Sequence, residues 1–290
     1  MGCNQVYRKT GEVGVTAQPL YADSTTTPGE WTKGYAMSDR DFLQAFYRDT
    51  VFDGLTGQIG FNESLLLLKA IARRKPEQFV EIGTASGFST KLISTVMKRY
   101  CSAGDLVTFD ISDRWYHDPL KSVGFMARGA AEDRVKVRFV QGTGVAIYDI
   151  FGAPTIDAAF VDGSHYHPWP TIDTLLLLPL MQPNGFIMHH DLNLYMTYEY
   201  RDQIGPKFLY DQIPDQMKER DDCEPFSRSY CVFPPENYLT LTKNMIQSLR
   251  LPWAGGTHEE IKSDPKLIDI IAANWGLPIA DCLREMSQVP

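Results

Sequence analysis

Cysteine is sparse in these 290 residues, and the five present, Cys3, Cys101, Cys223, Cys231 and Cys282, form an odd, scattered set without a CxxC pair. Neither a zinc knuckle nor a disulfide framework is indicated, and a reducing, cytoplasmic setting is expected. Long apolar runs are missing too. None approaches the roughly 18 residues of a spanning helix, so no membrane partner is expected. The N-terminus lacks the charged and apolar regions of a signal peptide, and Val6 stands where an acylation pattern starting at Gly2 wants Ser or Thr. Positive charge is also short: Lys+Arg 28 against Asp+Glu 36 leaves a net charge of −8. Without a long basic block to neutralise phosphates, nonspecific binding to nucleic acid is not expected. The basic triplet Arg73-Arg74-Lys75 closes a helical pattern before Pro76 and reads as cations at a helix C-terminus.

What is present is an ordinary globular composition, 43% hydrophobic and 22% charged. Residues 1–35, rich in Gly, Thr, Pro and Gln, read as an arm, and residues 1–60 together as an N-terminal arm and helical cover. From the N-cap candidate Ser38, Phe42, Leu43, Phe46 and Tyr47 fall at helical spacing. After a break over 54–60, Asn62 is placed to cap a second helix. Residues 61–245 carry the core. There, strands at 78–82, 106–110, 135–140, 156–162 and 185–191 alternate with helical patterns at 88–100, 119–131, 145–151 and 171–180. That rhythm is a parallel, doubly wound α/β sheet with crossover helices. Beyond it, 203–218 reads as a helix and 237–243 as a further strand. Residues 195–235 form an acceptor-site insertion, and 246–290 a C-terminal helical extension with helices at 264–275 and 278–286.

The stretch 78–90 organises the rest. Phe79, Val80 and Ile82 suit a buried strand, Gly83 and Gly87 let backbone approach a ligand, and Ser86 or Ser89 is placed to cap the next helix. Ligands of such sheets sit at the carboxyl ends of the strands. Those ends are Glu81-Ile82-Gly83, Asp110-Ile111-Ser112, Gln141-Gly142-Thr143, Asp162-Gly163-Ser164-His165 and His190-Asp191. A dinucleotide fingerprint, G-x-G-x-x-G, would need glycine at Ala85 and Phe88, and fails at both.

The observed E-x-G-x-x-x-G resembles the first motif of class I S-adenosylmethionine-dependent methyltransferases. The strand pair ending in Asp162 and Asp191 is similar to that of metal-associated small-molecule O-methyltransferases, of the macrolide-sugar, cephalosporin-hydroxylase-like and catechol types. The resemblance covers 61–193 and the expected strand near Tyr238. It implies a Rossmann-like, mostly parallel seven-stranded sheet with helical N- and C-terminal additions. It also implies that Glu81, Gly83, Thr84, Ala85, Ser86 and Gly87 hold the methionine end of S-adenosylmethionine, with Asp110 and Ile111 at the ribose, Gly142 and Thr143 at the adenine, and Asp162 beside the cofactor. Asp162, Asp191 and His190 are then candidate ligands of Mg²⁺. His165, with Asp162, becomes the catalytic pair, an imidazole being suited to take a hydroxyl proton near neutral pH. In catechol-type relatives an Asn or Asp follows the second acid; here Leu192 takes that place and Asn193 comes one later.

The implied activity is methylation of a hydroxyl on a small molecule, a natural product or sugar, with a homodimer among the partner expectations. The rival is a methyltransferase-like protein that binds the cofactor for another reaction or as a scaffold. Residue by residue, other readings stand alongside. Asp162 and Asp191 alternatively cap the helices that follow, His165 alternatively sits in a loop without a catalytic task, and His189 reads as a core histidine on the opposite face of its strand from His190. Trp115 and Tyr116 either pack or wall the adenosine, and Tyr195, Tyr198 and Tyr200 either pack or line the acceptor pocket.

Overall fold

The computed structural model describes residues 37–50, 58–129, 134–221, 228–254 and 256–289. The expected arm, the break after residue 50, Cys3 and Cys223 lie outside the described residues. The chain divides into two units, Met1–Met37 and Ser38–Pro290, and the elements below belong to the second. They run α1 (Asp39–Thr50), α2 (Phe61–Arg74), β1 (Gln78–Ile82), α3 (Phe88–Tyr100), β2 (Gly104–Asp110), β3 (Arg114–Trp115), β4 (Asp118–Ser122), β5 (Val135–Gln141), β6 (Ile156–Val161), α4 (Trp169–Leu177) and β7 (Met181–His189). There follow α5 (Gly205–Gln212), β8 (Lys218–Arg220), β9 (Tyr230–Val232), α6 (Thr242–Leu249), α7 (Thr257–Lys262), α8 (Pro265–Trp275) and α9 (Leu277–Met286).

Seven strands form one sheet in the order β5-β2-β1-β6-β7-β9-β8. The pairs β5·β2, β2·β1, β1·β6 and β6·β7 are parallel, and β9 is antiparallel to both β7 and β8. From β1 the chain first moves outward through β2 to β5, then returns to β6 on the other side. The strand order therefore reverses between β1 and β6, where a crevice opens above their carboxyl ends.

Both faces of this Rossmann-like sheet are covered, which is why its strands read as near-continuous apolar runs. Phe79, Leu106, Ala158 and Phe160 point to one face and meet Leu67 and Ile71 of α2 and Leu92 and Val96 of α3. Val80, Val107 and Ala159, one residue along each strand, point to the other and meet Ile172 and Leu176 of α4, Met245 of α6 and Ile271 of α8. The helix α2 begins on Gly60 rather than through an Asn62 cap. The Gly60 N–H donates to the Glu63 carboxylate one turn on.

Two expectations are corrected. Residues 119–129 are not a helix: β3 and β4 form an antiparallel hairpin, and Gly124 and Gly129 then turn the chain in the left-handed region at φ +74° and +77°, the last two positions of the expected helix lying outside the described residues. Pro119 inside β4 and the two glycines are poor material for a helix interior, and they outweigh the helical spacing of the apolar residues. Residues 237–243 are not a strand but a 3-10 turn, Tyr238–Leu241, running into α6. Asn237 Oδ1 accepts the Leu239 N–H at 3.2 Å, and Leu241, Met245 and Leu249 then repeat at helical spacing on a buried face. The sheet is completed instead by β9 and the short, charged edge strand β8, whose three residues are too few to show a period. No helix among the described residues is long and apolar enough to cross a membrane.

Candidate active site

The turn between β1 and α3 is built on two left-handed glycines. Gly83, at φ +95°, lies so close to the end of β6 that a Cβ there would stand 2.1 Å from the Asp162 carbonyl oxygen. Gly87, at φ +85°, is the residue on which α3 starts, and a Cβ on it would meet Gly124 Cα at 2.7 Å. Neither serine expected to cap α3 forms the helix cap, although Ser86 Oγ accepts the Phe88 N–H at 3.3 Å. Asp110, ending β2, braces the turn from below. One of its oxygens accepts the Thr84 and Ala85 N–H groups at 3.2 and 2.9 Å, and the other accepts that of Ser112 at 2.9 Å.

Glu81 lies beneath the same turn, fully buried. Thr90 Oγ1 donates to its Oε2 at 2.5 Å, while Oε1 is buried without a hydrogen-bond partner. Burial pushes this carboxyl up to about 7, against the opposing pull of hydroxyls from Ser89, Thr108 and Thr90. A buried acceptor with an unused oxygen costs free energy unless something fills the position. Above it an open cleft of about 390 Å³ is lined by Gly83, Thr84, Ala85, Ser86, Tyr116 and Asp162. At the neighbouring strand ends stand Ile111, largely exposed, and Gly142, whose N–H donates to the Asp110 carbonyl at 2.8 Å. Thr143 is exposed, and its hydroxyl caps the 3-10 turn that follows by accepting the Val145 N–H at 3.3 Å.

One strand over, four side chains close a ring. Asp162 follows β6 directly, and His190 and Asp191 follow β7, to which β6 is hydrogen-bonded in parallel with Val161 opposite His189. Asp162 Oδ1 lies 3.2 Å from His165 Nε2 and 3.0 Å from His190 Nδ1. Asp191 closes the circuit, Oδ2 at 3.4 Å from His165 Nε2 and Oδ1 at 3.5 Å from His190 Nδ1. Acids and imidazoles alternate around it. Asp191 holds its place in the left-handed region at φ +56°, a conformation strained for a residue with a Cβ.

The ring shifts its own members. Burial alone would raise the Asp162 carboxyl, but His190 and His165 outweigh it and hold it well below the usual range. Burial would likewise discharge His190, yet Asp162 and Asp191 keep it well above the ordinary imidazole value. His165 is raised for the same reason, burial being overcome by Asp162 and Asp191. Asp162, His165 and Asp191 each offer one donor atom, all within 4.8 Å of one another, a separation that one divalent ion could bridge. His190 is not in that set; its Nδ1 faces Asp162 and Asp191, and its Nε2 sits 3.1 Å from Glu63 Oε1 of α2, off the line a hydrogen bond needs.

Glu63 escaped the reading of the sequence because it sits in a helix remote from any strand end. The signal was present, for Glu63 occupies the apolar stripe that continues through Leu67, Ala70 and Ile71, where a carboxylate is out of place without a buried partner. His189 lies on the other face of β7, 1% exposed, stacked on Tyr230 and 3.2 Å from Thr174 Oγ1. Trp115 is buried against Phe125 and lines the cleft together with the exposed Tyr116. Tyr198 and Tyr200 stand exposed on a 3-10 turn beyond Asp191.

Residues 80–192 match the model of a family described as a methyltransferase domain. Over that span the chain is similar to a methyltransferase domain. Among solved structures it is similar to the O-methyltransferase TomG from Streptomyces achromogenes, involved in tomaymycin synthesis and in complex with SAM. There the identity is 16% and the TM-score 0.44, over 67% of this chain and 88% of that one. The SAH-bound Podospora anserina methyltransferase PaMTH1 gives 17% and 0.45, over 68% and 88%. The O-methyltransferase from Bacillus cereus in complex with SAH gives 15% and 0.44, over 69% and 93%. At these values the likeness assigns no role to any residue. No curated protein matches the chain. The methyltransferase domain as matched includes the glycine turn and the whole ring of acids and imidazoles, but not Glu63.

Proposed function

We propose that this protein transfers the methyl group of S-adenosylmethionine to a hydroxyl of a small molecule, with a natural-product or sugar acceptor favoured. The observation that carries the reading is Asp162, which lines the cleft above the glycine turn and is at the same time a corner of the acid–imidazole ring. A cofactor seated on the turn therefore ends beside a candidate base. The backbone of residues 83–87 receives the methionine portion, with Glu81 bracing the turn from beneath. Asp110, whose oxygens keep lone pairs beyond their three backbone donors, receives the ribose hydroxyls, with Ile111, Gly142 and Thr143 around the adenosine.

In the proposed reaction the acceptor oxygen forms a bond to the methyl carbon as the carbon–sulfur bond breaks. The electron pair goes to sulfur, leaving S-adenosylhomocysteine, and the hydroxyl proton goes to His165 Nδ1, the ring nitrogen that does not face the acids. Nε2–H donates to Asp162 and faces Asp191, and the two carboxylates stabilise the imidazolium as it forms. Orientation of the two reactants supplies much of the rate. A divalent ion held by Asp162 and Asp191 would lower the pKa of the acceptor hydroxyl; His165, which completes the set of three donors, would then serve as a ligand in place of base. The exposed Tyr116, at the cleft, and Tyr198 and Tyr200, beyond Asp191, line the acceptor pocket.

Calorimetric titration with S-adenosylmethionine tests the cofactor, and release of S-adenosylhomocysteine across an acceptor panel tests the reaction. Absence of binding would sink the proposal. A second reading, cofactor binding without methyl transfer, is favoured by Leu192, which is 3% exposed and offers no donor beside Asp191. Binding without turnover over a broad panel of hydroxyl compounds would select it.

A further inference from the structure

Glu63 is 3% exposed and held on every side. Its Oε2 accepts the Gly60 N–H at the start of α2, and its Oε1 accepts from Ser229 Oγ at 3.2 Å, next to β9. A helix cap needs only the first of these contacts and works equally well at the surface. The second oxygen is directed inward, 3.1 Å from His190 Nε2. His190 is itself 3% exposed, and its other nitrogen lies 3.0 Å from Asp162. An imidazole held between two carboxylates has one ring orientation that serves both. Rotating it would set a carbon against one acid.

Burying such a chain of charges costs several kcal/mol per ion unless each is paired; here Ser229 hydrogen-bonds Glu63, Glu63 approaches His190 Nε2 to 3.1 Å as an ion pair without hydrogen-bond alignment, and His190 Nδ1 bonds Asp162. We propose, on the methyltransferase reading above, that Glu63 is a positioning residue: it holds His190 against Asp162, and so fixes the carboxylates that flank His165. The two imidazoles of the ring then have separate tasks. His190 is a fixed strut, its Nδ1 hydrogen-bonded to Asp162 and its Nε2 facing the Glu63 carboxylate at ion-pair distance, whereas His165 meets the acids through Nε2 and takes the acceptor's proton on its other nitrogen.

The experiment compares wild type with E63Q, H190Q, the double variant and S229A. In E63Q the amide oxygen still accepts the Gly60 N–H, so the cap survives while the charge facing His190 is lost. The expected result is a fall in kcat of about tenfold or more, as for partners that orient a reactive group from behind. Acceptor KM and the affinity for S-adenosylmethionine stay within about twofold, the pattern of an interaction made only in the transition state. A crystal structure of E63Q shows the His190 ring turned away from Asp162, and the double variant is no slower than H190Q. The proposal is overturned if E63Q keeps kcat within about twofold of wild type, if His190 stays in place in its crystal structure, or if E63Q slows the H190Q background as much as it slows wild type. Should E63Q fail to fold, S229A carries the test: a lowered kcat at unchanged Tm supports the proposal, and an unchanged kcat overturns it. Wild-type protein that binds no S-adenosylmethionine ends the methyltransferase reading by itself, and the crystal structure of E63Q then decides whether Glu63 holds His190.

Discussion

Asp173 of α4 is a buried carboxylate with no hydrogen-bond partner among the described residues, its oxygens directed at Gly144 and Gly163, and burial pushes it up to about 7. Because its folded value exceeds the ordinary 3.8, the folded state binds the extra proton. Its contribution is therefore fully present below 3.8 and is lost as pH rises through about 7. D173N should raise stability at pH 8, on the order of a few kcal/mol, and bring no such gain at pH 4; denaturant unfolding at the two pH values measures the difference. His165 has the opposite relevance, to rate rather than stability. H165Q should lower kcat by roughly 10²–10⁴ while leaving cofactor affinity intact, read by initial rates and calorimetry. Since Asp162 and Asp191 raise this imidazole above 6.5, the rising limb of the kcat profile should lie on the alkaline side of that value. A limb below it would remove His165 from the role of base.

The β1–α3 turn shows how one position can set an element. Gly83→Ala would place a Cβ 2.1 Å from a backbone oxygen at a φ that side chains avoid, and the atom it meets cannot rotate away. Loss of cofactor binding by tenfold or more is expected, since the strain is of order 1–2 kcal/mol even before the clash; calorimetry on the folded variant checks it. This turn was legible in the sequence because its requirement is local: an apolar strand, an acid and two glycines at fixed spacing. The same holds for Asp162 and Asp191, which close apolar runs. The β3–β4 hairpin was not legible, because helical spacing at Val123, Phe125 and Met126 masked the breaks at Pro119 and Gly124. Nor was the pairing of His190 with Glu63. Adjacency to Asp191 made His190 look like a metal ligand, and only the approach of α2 to the face of β7 opposite His189 shows where its nitrogens point.

At the scale of the whole described unit, the C-terminal helices are part of the core beside the sheet. Ile271, Ile279 and Leu283 are fully buried, and Trp275 Nε1 donates to the Leu175 carbonyl of α4 at 2.8 Å. Each such side chain contributes roughly 1.5–3 kcal/mol by burial, a large share of the about 5–15 kcal/mol that holds a domain folded. Truncation after residue 256 should therefore abolish the cooperative thermal transition of the matched domain, which differential scanning calorimetry would show; a truncated chain with an unchanged Tm would contradict this packing. The bond from Ser229 to Glu63 joins positions 166 residues apart. During synthesis α2 emerges long before β9, so the Glu63 oxygen that faces His190 waits for Ser229 while the glycine turn and the strand ends bearing Asp162 and Asp191 have already been synthesised. A nascent chain can thus acquire its cofactor crevice before its acid–imidazole ring is braced, and the completed site dates from the arrival of the last strand.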